Sequence, residues 1–181
     1  MGLTTDVERG VLNVPGAAWN LMLFRSTALY AVLPILRGVM PDPMDQQVLA
    51  AVLQTEFDYT DPLTYAPRML ESKRILVQES IGDALVPNLA TRLLARTMGL
   101  SGLDLVEPVF GITEGEGPMA SAYTQWDIHA EPLPPTGNTP AEDDNGAHTG
   151  IQGLAPLQEQ IRLFFQADGQ IQSTCDDACD F

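Results

Sequence analysis

Basic residues are scarce in this chain: nine Lys and Arg stand against 24 Asp and Glu, a formal net charge of −15 over 181 residues. The electrostatic footprint of a nucleic-acid binder is therefore missing, and an anionic membrane surface would repel the protein. Cysteine is almost absent, with only Cys175 and Cys179 in a Cys-Asp-Asp-Ala-Cys hook near the end. Two thiols cannot complete a structural zinc site, and the acids between them oppose a reactive thiolate, so the pair is read as a local disulfide that pins the tail. Such a bond points to an oxidising compartment, secreted or in the cell envelope.

Several fingerprints are also missing. There is no phosphate-cradling glycine loop, dinucleotide motif or His-Glu-x-x-His helix, so no cofactor and no metal are expected. The first residues lack the basic and apolar regions of a signal peptide; an export signal, if the protein is exported, would lie upstream of Met1. The one apolar stretch of spanning length, Ala17 to Met40, contains Asn20, Arg25, Pro34 and Arg37 and is read as buried helix, not a membrane span.

What is present is enough for one domain. A hydrophobic content of 45% and a mean hydropathy of zero mark a globular chain with a core. The acidity sits in its second half: residues 104–181 hold 14 acids and a single base, Arg162, which is read as a solvated surface. A calcium-binding reading would rest on Asp143, Asp144 and the tail aspartates, whose spacing does not reproduce an EF-hand loop.

Along the chain, Gly10 to Gly16 reads as a buried strand closed by Pro-Gly. A helix is expected from Ala17 to about Leu36. A second, capped by Asp42 with Pro43 at its first position, carries Met44, Val48, Leu49, Val52 and Leu53 as one buried face. Residues 58–67 read as a turn-rich connection, with a short helix near Arg68 to Ser72. Ile75 to Glu79 is a strand. Pro87 opens an amphipathic helix with Leu89, Leu93, Leu94 and Met98 on one face, Arg92 and Arg96 on the other, and Gly99 as its stop. Leu105 to Ile112 is a further strand or an extended excursion, and Ala122 to His129 another strand. Residues 131–150 must be loop. A last helix runs from Leu154 to about Ala167 with Leu157, Ile161, Phe164 and Phe165 inward. Helices alternating with short buried strands imply an α/β class with a partial parallel sheet.

The segment Arg74-Ile75-Leu76-Val77-Gln78-Glu79-Ser80-Ile81-Gly82-Asp83-Ala84-Leu85-Val86-Pro87 resembles the late strand of α/β-hydrolases and the Gly-Asp-x-x-Val-Pro loop after it. The resemblance implies that Asp83 is the acid of a catalytic triad. It also implies a histidine later in the chain, in a loop before the final helix. Only His129 and His148 exist; His148, in Asn145-Gly146-Ala147-His148, has that position, whereas His129 beside Trp126 and Asp127 suits a structural hydrogen bond. The 65-residue interval between Asp83 and His148 is long for compact members and implies an insertion.

No Gly-x-Ser-x-Gly elbow occurs, and neither Ser26 nor Ser80 has the setting of a nucleophile. The resemblance thus covers the later part of the fold. It implies one partial domain over 1–181, with a helical, cap-like region at 17–72, the loop at 131–150 and the cysteine tail at 170–181. The expected function is the acid-and-base part of a serine hydrolase acting on small-molecule or lipid esters, with Leu21, Leu23, Phe24 and Tyr30 as candidate lining of an acyl pocket or simply core. The competing expectation is a non-catalytic module that forms a homo-oligomer or docks on a partner covering an exposed sheet edge.

Overall fold

The computed structural model describes residues 2–176 and 178–181. Its centre is a four-stranded sheet, all parallel, in the order β1-β2-β4-β3. The strands are β1 (Arg9–Asn13), β2 (Arg74–Ser80), β3 (Gly102–Leu103) and β4 (Ala122–Trp126). Parallel neighbours need crossovers: helices supply those from β1 to β2 and from β2 towards β3, whereas β3 and β4 are joined by the irregular segment 104–121. The helices are α1 (Trp19–Arg25), α2 (Leu33–Val39), α3 (Pro43–Phe57), α4 (Pro62–Ser72), α5 (Asn88–Met98), α6 (Ala147–Gly150) and α7 (Ala155–Phe164). The α/β class is therefore as expected.

Strand alternation divides the core. Ile75 and Val77 of β2 and Tyr123 of β4 pack with Leu94, Ala95 and Met98 of α5. Leu76 and Ala122 point the other way and meet Phe164 of α7 and Ile171. Beyond the sheet's carboxyl end, Trp126 joins Val14, Ile151, Leu157 and Cys179. The two central strands are buried almost throughout, β2 at six of its seven residues and β4 at all five.

The region between β1 and β2 departs from expectation. The single helix from Ala17 is instead α1 and α2 joined by a 3-10 segment, Thr27–Val32, with the two halves bent by 79°. Ser26 makes the break: its side chain accepts from Ala28 N–H while its hydroxyl donates to Leu85 O at 2.6 Å. No single described helix is long and apolar enough to cross a membrane. The segment is also less buried than expected, since Phe24 and Leu33 are in the core whereas Tyr30, Ile35 and Val39 are exposed.

The helix α3 begins where expected, with the Asp42 carboxylate accepting from Met44 N–H. Its predicted buried face is wrong: Met44, Val48, Val52 and Leu53 are exposed, and Gln46 and Ala50 are buried. The Gln46 amide donates to Met40 O at 2.7 Å and Ala50 packs with Phe24, so a polar contact and a small side chain set the helix rotation. The supposed turn at 58–67 is largely helix, because Asp61 caps α4 at Leu63 N–H. Leu89 and Phe165 are likewise exposed, contrary to expectation, and residues 105–112 form no strand. The disulfide Cys175–Cys179 is present, and the strand-like addition of the tail to Asp127 holds it against the sheet's end.

Candidate active site

The acid loop is built by local chemistry at the carboxyl end of β2, the position at which open α/β sheets form crevices. Gly82 turns the chain with φ +74°, a left-handed conformation that glycine adopts without penalty. Asp83 follows, only 2% exposed, and its Oδ1 accepts from both Leu85 N–H and Val86 N–H at 2.8 Å. Pro87 then supplies the turn into α5. The Asn88 side chain closes the loop, accepting from Gly82 N–H at 2.9 Å and donating to Ser80 O at 2.6 Å.

The remaining oxygen of Asp83 faces His148. Oδ2 lies 2.7 Å from Nδ1 of the imidazole, across 65 residues of sequence. The histidine is carried on one helical turn, α6, where a featureless loop was expected. Ala147 is fully buried and its carbonyl accepts from the Ser80 hydroxyl at 2.8 Å, which ties this turn back to the end of β2. About a quarter of the His148 side chain (24%) reaches solvent, and Nε2 has no hydrogen-bond partner among the described residues.

Beside an ionised Asp83, the 2.7 Å contact makes Nδ1 the protonated nitrogen of a neutral ring. With Nδ1 donating to a buried carboxylate, Nε2 is left as the acceptor on the open side, the arrangement of a general base. Burial pushes the Asp83 carboxyl above the usual carboxylate range, opposed by the Val86 N–H, the His148 ring and the Leu85 N–H. The structure therefore brings together the two residues that sequence reading singled out.

His129 lies elsewhere. Its Nε2 is 2.8 Å from Asp180 of the tail and its Nδ1 3.8 Å from Asp127, with the ring 65% exposed. One ligand atom from each of Asp127, His129 and Asp180 falls within 4.8 Å of the others, the group with metal-ligand spacing among the described residues; the His129–Asp180 pair, the bond from the His129 backbone N–H to Asp127 and the bridge between Asp127 and Asp180 account for their closeness.

Neither serine is placed as a nucleophile. Ser26 is committed to Leu85 O and Ser80 to Ala147 O, and among the described residues no hydroxyl is hydrogen-bonded to the His148 ring. Beside the acid loop, a cavity of about 170 Å³ is lined by Val86, Gly16, Ala17, Trp19, Met22 and Pro62. Trp19 also borders an apolar groove of about 340 Å³ with Leu23, Leu29, Leu53 and Phe57. Of the candidate acyl-pocket residues, Leu23 lines that groove and Phe24 is core.

Sequence reading missed the two asparagines, Asn88 and Asn145, that hold Gly82 from either side. Asn145 Nδ2 donates to Gly82 O at 2.9 Å and to Pro132 O at 3.0 Å. Asn145 precedes a glycine of positive φ in the Asn-Gly pair, a turn signal that marked the position but not its partner. No family model, curated protein sequence or solved structure matches this chain at a significant level.

Proposed function

We propose that residues 1–181 are the acid-and-base part of a serine hydrolase that cleaves ester or related acyl bonds. The observation that carries this reading is the Asp83–His148 contact: a buried carboxylate, two backbone N–H groups fixing one oxygen, and the other oxygen holding Nδ1 at 2.7 Å. In the reaction, Nε2 of His148 takes the proton of a serine hydroxyl as its oxygen attacks the acyl carbon. Asp83 stabilises the imidazolium without taking its proton. The imidazolium then protonates the departing alcohol, and a water activated by the same nitrogen releases the acid.

The serine would come from a strand that adds to β1. Val14 N–H donates to Gln78 O and Glu8 O accepts from Arg74 N–H, so Glu8, Gly10, Leu12 and Val14 direct their peptide groups at β2. Arg9, Val11 and Asn13 direct theirs to the open edge. A parallel strand there would end two strand spacings, about 10 Å, from the end of β2, a span that a histidine bound to the Asp83 loop bridges.

A second reading, an interaction module without catalysis, is favoured by one feature: the outward Met44, Val48 and Val52 on α3. A fluorophosphonate probe applied to the native polypeptide separates the two. Under the hydrolase reading a serine is labelled, His148→Ala abolishes labelling, Asp83→Asn slows it by about 10³- to 10⁴-fold, and His129→Ala leaves it unchanged. Labelling that survives His148→Ala, or no labelled serine at all, leaves the interaction module.

A further inference from the structure

The Asp83–His148 pair is made by two segments that share no secondary structure. One is the turn after β2 and the other is α6, reached through the long loop after β4. Ala147 and Ile151 anchor α6 by burial, but residues 142–144 and Gly146 on its approach are exposed, so the placing of that approach against the acid turn falls to polar contacts.

One side chain spans the gap. Asn145 donates through Nδ2 to the carbonyl of Gly82, the residue immediately before the acid, at 2.9 Å. The same nitrogen donates to Pro132 O at 3.0 Å, near the start of the loop. Its Oδ1 accepts from Ala147 N–H at 3.2 Å, the first residue of the turn that carries His148. Both donor hydrogens of the amide and its acceptor are thereby used, which is a large share of what an asparagine can offer.

Gly82 is consequently gripped on both peptide sides. Its N–H donates to Asn88 Oδ1 at 2.9 Å and its carbonyl accepts from Asn145. Asn88 belongs to α5 and fixes the acid turn to its own helix. Among the described residues, Asn145 is the side chain that joins Gly82 itself to the segment leading directly into the histidine. The Ser80–Ala147 bond anchors the far side of the same turn to β2 but does not touch the acid loop.

We infer that Asn145 is the positioning residue of the dyad: it sets the His148 ring against Asp83 by tying Gly82 O to the N–H of Ala147. This rests on the hydrolase reading for its catalytic meaning, though not for its geometry. The requirement is chemical. Aspartate at this position keeps the acceptor for Ala147 but loses both donors and brings a carboxylate to the Gly82 and Pro132 carbonyls. Alanine loses all three bonds.

The test is ring nitrogen and Nδ1–H resonance of His148 by NMR at neutral pH, in the wild-type chain and in Asn145→Ala, Asn145→Asp and Asn138→Ala. The wild type is expected to show the Nδ1–H tautomer with a far-downfield, slowly exchanging proton. Both Asn145 variants are expected to lose that proton and give mixed tautomers, with the amide spectrum of β2, β4 and α5 unchanged. Asn138, exposed and bonded to Arg25 and Gln47, serves as the loop control and keeps the signal. Retention of the wild-type signature in Asn145→Ala overturns the inference, and so does loss of the signature in Asn138→Ala to the same extent. A folded wild type whose ring nitrogens report the Nε2–H tautomer lacks the Nδ1–H bond to Asp83 and overturns both this inference and the hydrolase reading, whereas retention of the signature in Asn145→Ala overturns the inference alone. If Asn145→Ala fails to fold, Asn145→Ser, which restores an acceptor for Ala147 without the two long donors, gives the same reading.

Discussion

Gly82 carries more constraint than any other single residue of the acid loop. Its φ of +74° disfavours a side chain, and a Cβ there would lie 2.8 Å from Leu133 Cδ2. Gly82→Ala is expected to lower the unfolding free energy by about 1–3 kcal/mol, mostly through the backbone conformation. The double variant Gly82→Ala/Leu133→Ala should recover only the steric part, since Leu133 is exposed and can shift; urea titrations of both variants check this. At this scale the sequence was informative where a residue acts through its own backbone, as with Gly82, Asp83 and Pro87 in one continuous motif. It was silent on Asn145, whose partners lie at positions 82 and 132 and are defined only by folding. The choice of His148 over His129 depended on place in the chain, and the structure separates them by surroundings: one meets a carboxylate that is 2% exposed, the other a tail aspartate whose side chain is 48% exposed.

Between elements, β2 and α5 are fastened by a buried ion pair. Arg92 donates through Nε and Nη2 to Glu79 Oε1 at 2.9 and 2.7 Å, and also pairs with Glu107. Glu79 Oε2 has no partner among the described residues. Burial pushes the Glu79 carboxyl up to about 7, outweighing Arg92, Tyr123 and Gln125, which pull it down. From the ordinary value of 4.5 up to about 7, the folded state binds this proton more tightly than the unfolded state, so stability falls as pH rises through that window. The full effect is of order 3 kcal/mol. Glu79→Gln should remove this slope, and the difference between wild-type and variant unfolding free energies at pH 5 and pH 8 measures it. The helix α5 was readable from its arginines, its Pro87 start and its Gly99 stop. The helix α3 was readable in its existence and its Asp42-Pro43 start but not in its facing, because its strongest periodic signal, Met44, Val48 and Val52, faces away from the core while Gln46 sets the inward side.

For the molecule as a whole, the acidic surface and the outward apolar face belong to different parts. Residues 17–72 contribute Ile35, Val39, Met44, Val48 and Val52 to the exterior, all more than half exposed. Met44, Val48 and Val52 recur every fourth residue along one face of α3, and an exposed apolar stripe of this kind binds hydrophobic dyes and promotes association. The protein is expected to bind an anilinonaphthalene dye in its folded state, and Val48→Lys/Val52→Lys should reduce that fluorescence several-fold without loss of helicity; equal fluorescence in the variant would place the dye elsewhere. The fold class was legible from alternation of helices and apolar strands, whereas the sheet order depends on pairings no local pattern reports. Those pairings also govern how the chain reaches its native state. The register between β1 and β2 joins residues 65 apart, and that between β2 and β4 joins residues about 46 apart, with no hairpin anywhere in the sheet. Every strand contact must close a long loop before it returns any stabilisation, which slows folding relative to chains of similar size built from local contacts. The units that can assemble without such a closure are local: β2 with α5, and the helical cluster of Phe24, Leu33 and Ala50; β1, though first in the sequence, pairs only after a loop of about 60 residues has closed.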